Sequence, residues 1–243
     1  MKFCDNKEYI SICREFSDNA PAEVIIQEPY LPYIPEKWNG VLVLAEAQNL
    51  SKKADQYINK LKNSTSEDRI KRLYLHDDGL GIQPWDDGTL KLALKAMVRD
   101  IDIREVAVSN SVPWSCVNEK RNNKNPTSEM TQKANEFWKA LFDLWNPDIK
   151  LIVVLGNIAD QVIKGTTRAE VFRLRLPSPN YIQRISGMFS DKDLLARHPE
   201  VGEAKEYLEK EYPKIMPKPW QVFYACHAVS LGKEKFENLL KCS

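Results

Sequence analysis

The sequence predicts an α/β fold: a three-layer αβα sandwich around a mostly parallel central sheet of four to five strands. Three observations carry this. Short apolar runs rich in β-branched residues (41–45, 106–108, 151–155) suit strands buried on both faces. Longer stretches with helically spaced apolar residues alternate with these runs, as in βαβ units. The 243 residues fit one domain, with 1–40 as an N-terminal arm and 190–243 as a C-terminal extension.

The elements follow in order. Pro21, Pro29, Pro32 and Pro35 punctuate the first forty residues, which predicts an N-terminal helix or irregular arm and then an extended lead-in. Residues 41–45 are the first strand. Residues 50–73 are polar with spaced apolar positions, a surface helix. A loop with Gly79, Gly81, Pro84 and Gly88 leads to a helix from Thr89. The second strand, 106–108, runs into Ser109-Asn110-Ser111. A polar loop spans 117–128, with Ser128 as the cap of a helix reaching about Leu144. Residues 151–155 are the clearest strand, followed at once by Gly156 and a helix to Ile163. Residues 171–176 alternate apolar and basic, as a half-exposed strand does. A helix near 200–211, a strand at 222–225 and a helix at 232–241 close the reading.

Lys and Arg number 35 against 34 Asp and Glu, for a net charge of +1. That balance argues against a uniformly basic nucleic-acid binder and leaves a local basic patch open. No run approaches the roughly 18 apolar residues of a membrane span. The first residues lack the apolar core of a secretory signal, so a cytoplasmic location is expected. Five cysteines, widely spaced and without a CxxC pair, predict free thiols. Three histidines, none in HxH or HxxxH spacing, predict no metal site. GxxxxGK[ST], GxGxxG after a strand and GxSxG are all missing, so nucleotide hydrolases, dinucleotide enzymes and α/β-hydrolases lose their usual support.

Ligands of such sheets bind beyond the carboxyl ends of the strands. That rule selects the segments 45–51, 109–118, 156–158 and 176–187. Glu46, directly after the first apolar run, is placed to orient or activate a water; the plainer alternative is a solvated carboxylate or a helix N-terminal charge. Asn110 offers a donor and an acceptor to a base edge, or else bonds its own turn. Trp85 stacks on a planar ligand or anchors its loop to the core. Pro177-Ser178-Pro179 makes a rigid, extended loop able to hold a phosphate through Ser178. Arg173, Arg175 and Arg184 bracket it, and Lys120, Arg121 and Lys124 follow the second strand. Together they form a positive patch or a solvated charged face.

Taken together, these segments resemble the uracil-DNA glycosylase superfamily over roughly 41–190, nearest the branch whose first motif is GEAPG. Ala45-Glu46-Ala47-Gln48-Asn49 is similar to that motif. GLGIQPWDDGTLKLALKAM (79–97) is similar to the loop and helix that carry the base-stacking aromatic. REVAVSNSVPWSCVNEKRNNKNPTSEM (104–130) is similar to the strand ending in the uracil-reading Asn and the loop beyond it. NPDIKLIVVLGNIADQVI (146–163) is similar to the P-x-x-I-x-x-L-G-x-x-A segment, and LPSPN (176–180) resembles the HPSP motif. The chain departs from the pattern with Ala45 for Gly, with Gln48 and Asn49 for Pro and Gly, and with Leu176 for the His that stabilises the departing uracil anion.

The resemblance implies hydrolysis of the N-glycosidic bond of uracil, or another deaminated base, flipped out of DNA for repair by base excision. Glu46 and Asn110 would be catalytic, and Ala45, Ala47, Trp85 and Asn110 would hold the base. Asn49, Ser51, Lys120, Arg121, Pro177, Ser178, Pro179, Asn180 and Arg184 would contact DNA. His227, placed after the last expected strand, is a substitute for the missing His. The branch often binds an iron–sulfur cluster, but only Cys116 falls on a ligand position, so no cofactor or metal is expected. A monomer acting on DNA is the expected state. Two other readings stay open: a degenerate member that binds nucleic acid or nucleotide without cleaving it, and an enzyme of free nucleosides, suggested by the near-zero net charge.

Overall fold

The computed structural model describes residues 6–22, 24, 26–29, 32–48, 63, 65–66, 82–115, 124–145, 148–186 and 191–242. Most of the helix expected at 50–73, and the candidates Asn49, Ser51, Lys120 and Arg121, lie outside the described residues. In chain order the elements are α1 (Lys7–Asp18), β1 (Val41–Gln48), α2 (Gln83–Asp86), α3 (Thr89–Met97), β2 (Ala107–Ser115), α4 (Ser128–Trp145), β3 (Leu151–Leu155), α5 (Gly156–Ile163), β4 (Glu170–Leu174), α6 (Pro179–Ser186), α7 (Asp191–Arg197), α8 (Pro199–Glu211) and α9 (Pro219–Cys242). The chain divides into two compact units, Met1–Gly81 with Glu105–Arg173 and Ile82–Arg104 with Leu174–Ser243. Among the described residues no helix is long and apolar enough to cross a membrane.

The first unit is built on a four-stranded sheet of order β2-β1-β3-β4. β1 pairs in parallel with both neighbours, Leu42 lying opposite Ala107 on one side and Ile152 on the other. The expected α/β class with a parallel sheet is therefore present. All five residues of β3 are buried, as its uninterrupted apolar run requires. α4 brings Phe137, Trp138, Phe142 and Trp145 to the core, where they pack with Tyr9 and Cys13 of α1 and with Leu42 and Leu44 of β1. Trp138 meets Phe137 edge to face at 5.7 Å, and its Nε1 donates to the Ser111 carbonyl at 2.6 Å. Rings in such geometry contribute about 0.5–1.5 kcal/mol beyond their buried area.

The N-terminal helix expected within 1–40 is α1, whose Tyr9 and Cys13 are fully buried, and Tyr33 bridges antiparallel to Val108. Other expectations are corrected. The cap of α4 is Thr127, whose Oγ1 accepts from the Met130 amide at 3.3 Å; Ser128 is already helical. β1 continues past Ala45 to Gln48, and β2 continues past Val108 through Asn110 to Ser115. β2 tolerates Pro113 because it is an edge strand, where a missing N–H costs no ladder bond.

The second unit is helical. α3 buries Leu90, Leu92, Ala93, Leu94, Ala96 and Met97, and α8 and α9 pack against it. Asp87, just before the N-cap Gly88, accepts from the Thr89 amide at 2.9 Å and its hydroxyl at 2.6 Å at the start of α3. The strand expected at 222–225 and the helix at 232–241 are one helix, α9. Gln221, Tyr224, Ala225, Cys226, Ala228, Val229, Gly232 and Phe236 are buried along it, recurring at the three- and four-residue steps of a helix face.

Candidate active site

The strand order fixes where a ligand site belongs in the first unit. The chain leaving β1 next joins the sheet at β2, on one side of it. The chain leaving β3 next joins at β4, on the opposite side. The crevice between the carboxyl ends of β1 and β3 is therefore the topological switch point. Glu46 stands on one side of that crevice and Gly156, the first residue of α5, on the other.

Glu46 is half-buried near the end of β1. Its carboxylate accepts a hydrogen bond from the Ile158 amide in the first turn of α5. A Cβ at residue 156 would strike Glu46 Oε1, so the close approach depends on glycine. Gly156 also has φ +82°, a left-handed conformation that glycine adopts without strain. Burial pushes the Glu46 pKa above its ordinary value, and the Ile158 N–H pulls the other way without overcoming it. The result is a carboxylate fixed at a helix N-terminus and inclined to take up a proton.

Asn110 is the register partner of Ala45, so it sits on the strand beside Glu46. The two candidates lie on neighbouring strands one residue out of step, so the alternation of the strands sends their side chains to opposite faces of the sheet. Asn110 is buried at 4% exposure, and Ala45 at 5%. Ala47 is partly buried and packs against the apolar cluster beneath the sheet. Ser111 locks the level of the site, its hydroxyl donating to the Glu46 carbonyl at 2.6 Å. Both candidates lie inside the strands, not in the loops beyond them as the sequence suggested.

The remaining candidates belong to the second unit. Trp85 is not on an open loop: it lies in the short helix α2 and is 5% exposed. Its carbonyl accepts from Lys91 Nζ at 2.8 Å, and the same ammonium sits 5.1 Å from its ring centroid. Trp85 is thus an anchor of this unit, the plainer of its two sequence readings. LPSPN is not an extended loop throughout, because α6 begins at Pro179, where a proline's fixed φ suits the first helical turn. Ser178 caps that helix, its Oγ accepting from the Tyr181 amide at 3.3 Å. Pro177 is partly buried, and Asn180 and Arg184 are exposed. A separate cleft of about 290 Å³ in this unit, lined in part by Gln83, Asp86, Lys214, Met216, Lys218 and Trp220, contains none of the predicted site residues.

Of the basic residues expected to form a patch, Lys120 and Arg121 lie outside the described residues. Arg173, on β4, is engaged with Asp160 at 3.2 Å and with Asn157 of α5. Arg175 makes no ion pair with any described carboxylate. His227 lies within α9 and bonds through Nδ1 to the Tyr181 hydroxyl. Sequence reasoning missed Gly156 as the partner of Glu46, although a glycine directly after an apolar strand signals close backbone approach. It missed Tyr181 altogether, since nothing in the local sequence links residues 181 and 227. No protein-family model matches the chain, and no curated protein matches its sequence.

Proposed function

We infer that the chain is a uracil-DNA glycosylase-like hydrolase that releases uracil, or another deaminated base, from DNA, on the three-layer fold of that superfamily. The observation that carries the reading is Glu46: a half-buried glutamate at the switch point of a parallel sheet, held by the amide of Ile158 and with raised proton affinity. Breaking the N-glycosidic bond leaves positive charge on the sugar and negative charge on the base. A carboxylate at Glu46 offsets the first and takes a proton from the attacking water. Asn110, on the neighbouring strand, is the residue that the resemblance assigns to the base edge. On the second unit, Ser178, Asn180 and Arg184 are the candidates for phosphate contact. Trp85 has no stacking role in this reading. The sequence features that resemble the superfamily support it, and the DNA partner and monomeric state follow from the same resemblance.

A second reading is favoured by two facts. Glu46 already serves as the anchor of α5, and Leu176 stands where the family has its histidine. Both suit a protein that binds nucleic acid without cutting it. One experiment separates the readings: incubation with single- and double-stranded oligonucleotides carrying uracil or hypoxanthine, then alkaline cleavage of abasic sites. Strand breaks at the lesion, lost in Glu46→Gln and Asn110→Ala, are the expected result. Retention of the oligonucleotide without breaks selects the second reading, and neither breaks nor retention removes both.

A further inference from the structure

We propose that Arg175, Tyr181 and His227 of the second unit form an anion site that takes a phosphate group. The three groups come from different elements and are tied to one another. Tyr181 sits in the first turn of α6, and its hydroxyl bonds to His227 Nδ1 on α9. Its ring meets His227 at 5.5 Å and 73°, and Tyr224 at 6.4 Å and 81°. Tyr224, itself buried, donates its hydroxyl to the Arg175 carbonyl at 2.7 Å, which fixes the backbone from which that guanidinium springs. The guanidinium carbon lies 5.8 Å from the Tyr181 ring centroid. Arg175 is exposed, and no described carboxylate pairs with it.

The chemistry of this cluster is one-sided. Burial raises the Tyr181 pKa, so its hydroxyl keeps a proton that it can donate to Nδ1. A neutral imidazole that accepts at Nδ1 carries its proton on Nε2, as a donor. Burial and the Arg175 charge both hold the His227 pKa below its ordinary value. Glu200 of α8 is held by Lys233 at 3.2 Å and lies 3.9 Å from His198. Arg184, one turn beyond Asn180 on α6, adds positive charge. A guanidinium within electrostatic reach of an imidazole that can donate at Nε2 suits a phosphate oxygen pair.

The phosphate is either a nucleic-acid phosphodiester or a free phosphate; taking the former as the natural source rests on the function proposed above. An anion here offsets the Arg175 charge, so it must raise the His227 pKa. The chain has three histidines, which makes their ring resonances separable by NMR. The test is a pH titration of those resonances alone, with inorganic phosphate, and with a short oligothymidylate. The expected result is that both probes raise the His227 pKa and that Arg175→Gln abolishes the rise, weakening binding about tenfold or more. A rise with inorganic phosphate alone overturns the nucleic-acid source. A His227 titration unmoved by either probe, or moved equally in Arg175→Gln, overturns the site. The readout is independent of uracil release, so an inactive protein with a responsive His227 sinks the proposed activity and leaves the anion site standing.

Discussion

The Glu46 carboxylate occupies the space beside Gly156 that a Cβ at residue 156 would need. That contact joins β1 to the first turn of α5 across the switch point. It yields a paired test, because Gly165 is also left-handed, at φ +74°, yet has nothing within 4 Å of its would-be Cβ. Gly165→Ala should carry only the backbone cost, roughly 1–2 kcal/mol. Gly156→Ala should add overpacking against Glu46, about 1–3 kcal/mol more. Urea denaturation of the two variants measures the difference. Equal losses would mean that Glu46 moves aside freely.

The titration of Glu46 separates a structural role from a catalytic one. Its folded-state pKa is raised above the ordinary 4.5. Well below 4.5 both folded and unfolded forms are protonated, and the shift has no effect. As pH rises past 4.5 the unfolded chain ionises first, so folding stability declines until the folded carboxyl has also lost its proton. Glu46→Gln should remove that decline and hold or improve stability at neutral pH. The same variant should lose about 10²–10⁴ in uracil release, and the wild-type rate should fall on acidification through the raised Glu46 pKa. A variant that keeps its activity denies Glu46 the role of base.

The sheet was legible because its physics is local. A run such as Leu151–Leu155 can only be buried on both faces, and a glycine after it can only turn. The strand expected at 222–225 failed for a related reason. Four apolar residues fit a buried strand or a buried helix equally well, and only the wider spacing from Gln221 to Phe236 decides between them. Pairing that extends β1 and β2 past their apolar runs is invisible in either segment alone. The candidate site was half legible. Glu46 and Asn110 stand out by residue type at strand ends, but the bond from Ile158 to Glu46 joins residues more than a hundred positions apart. Trp85 was open between a stacking and an anchoring role because glycines surround it, and the bond from Lys91 to its carbonyl decides for the anchor.

Lys91 gives a stability test with the opposite sign. It is 9% exposed, its ammonium held by the Trp85 carbonyl and lying 5.1 and 5.3 Å from the Trp85 and Tyr212 ring centroids. Burial lowers its pKa from 10.5, and the charges of Asp86 and Asp87 only partly restore it. Between the lowered value and 10.5 the unfolded chain binds more protons, so stability should rise with pH across that window. Lys91→Met should flatten the rise while changing stability at pH 7 by no more than about 1 kcal/mol, since the apolar stem still packs. Lys91→Ala should cost about 2 kcal/mol or more, through the cavity. Thermal unfolding across pH 7–11 measures both.

Gln221 ties the start of α9 to the start of α3, and its amide is fully used. Nε2 donates to the Asp87 carbonyl and to Thr89 Oγ1, each at 2.9 Å, while Oε1 accepts from the Lys218 amide at 2.7 Å. At 2% exposure, water cannot replace these bonds. Gln221→Leu keeps the volume and strands the polar groups, which should cost about 2–4 kcal/mol and lower Tm by several degrees. Gln221→Glu tests the polarity of the arrangement. Its carboxylate still accepts from Lys218 but turns an acceptor toward the Asp87 carbonyl and adds negative charge near Asp87. That variant should be less stable than Gln221→Leu at pH 7 and recover as acid protonates the new carboxyl. A Gln221→Glu protein with the same Tm at pH 4 and pH 7, each relative to wild type, would show that the amide is not needed as a donor there.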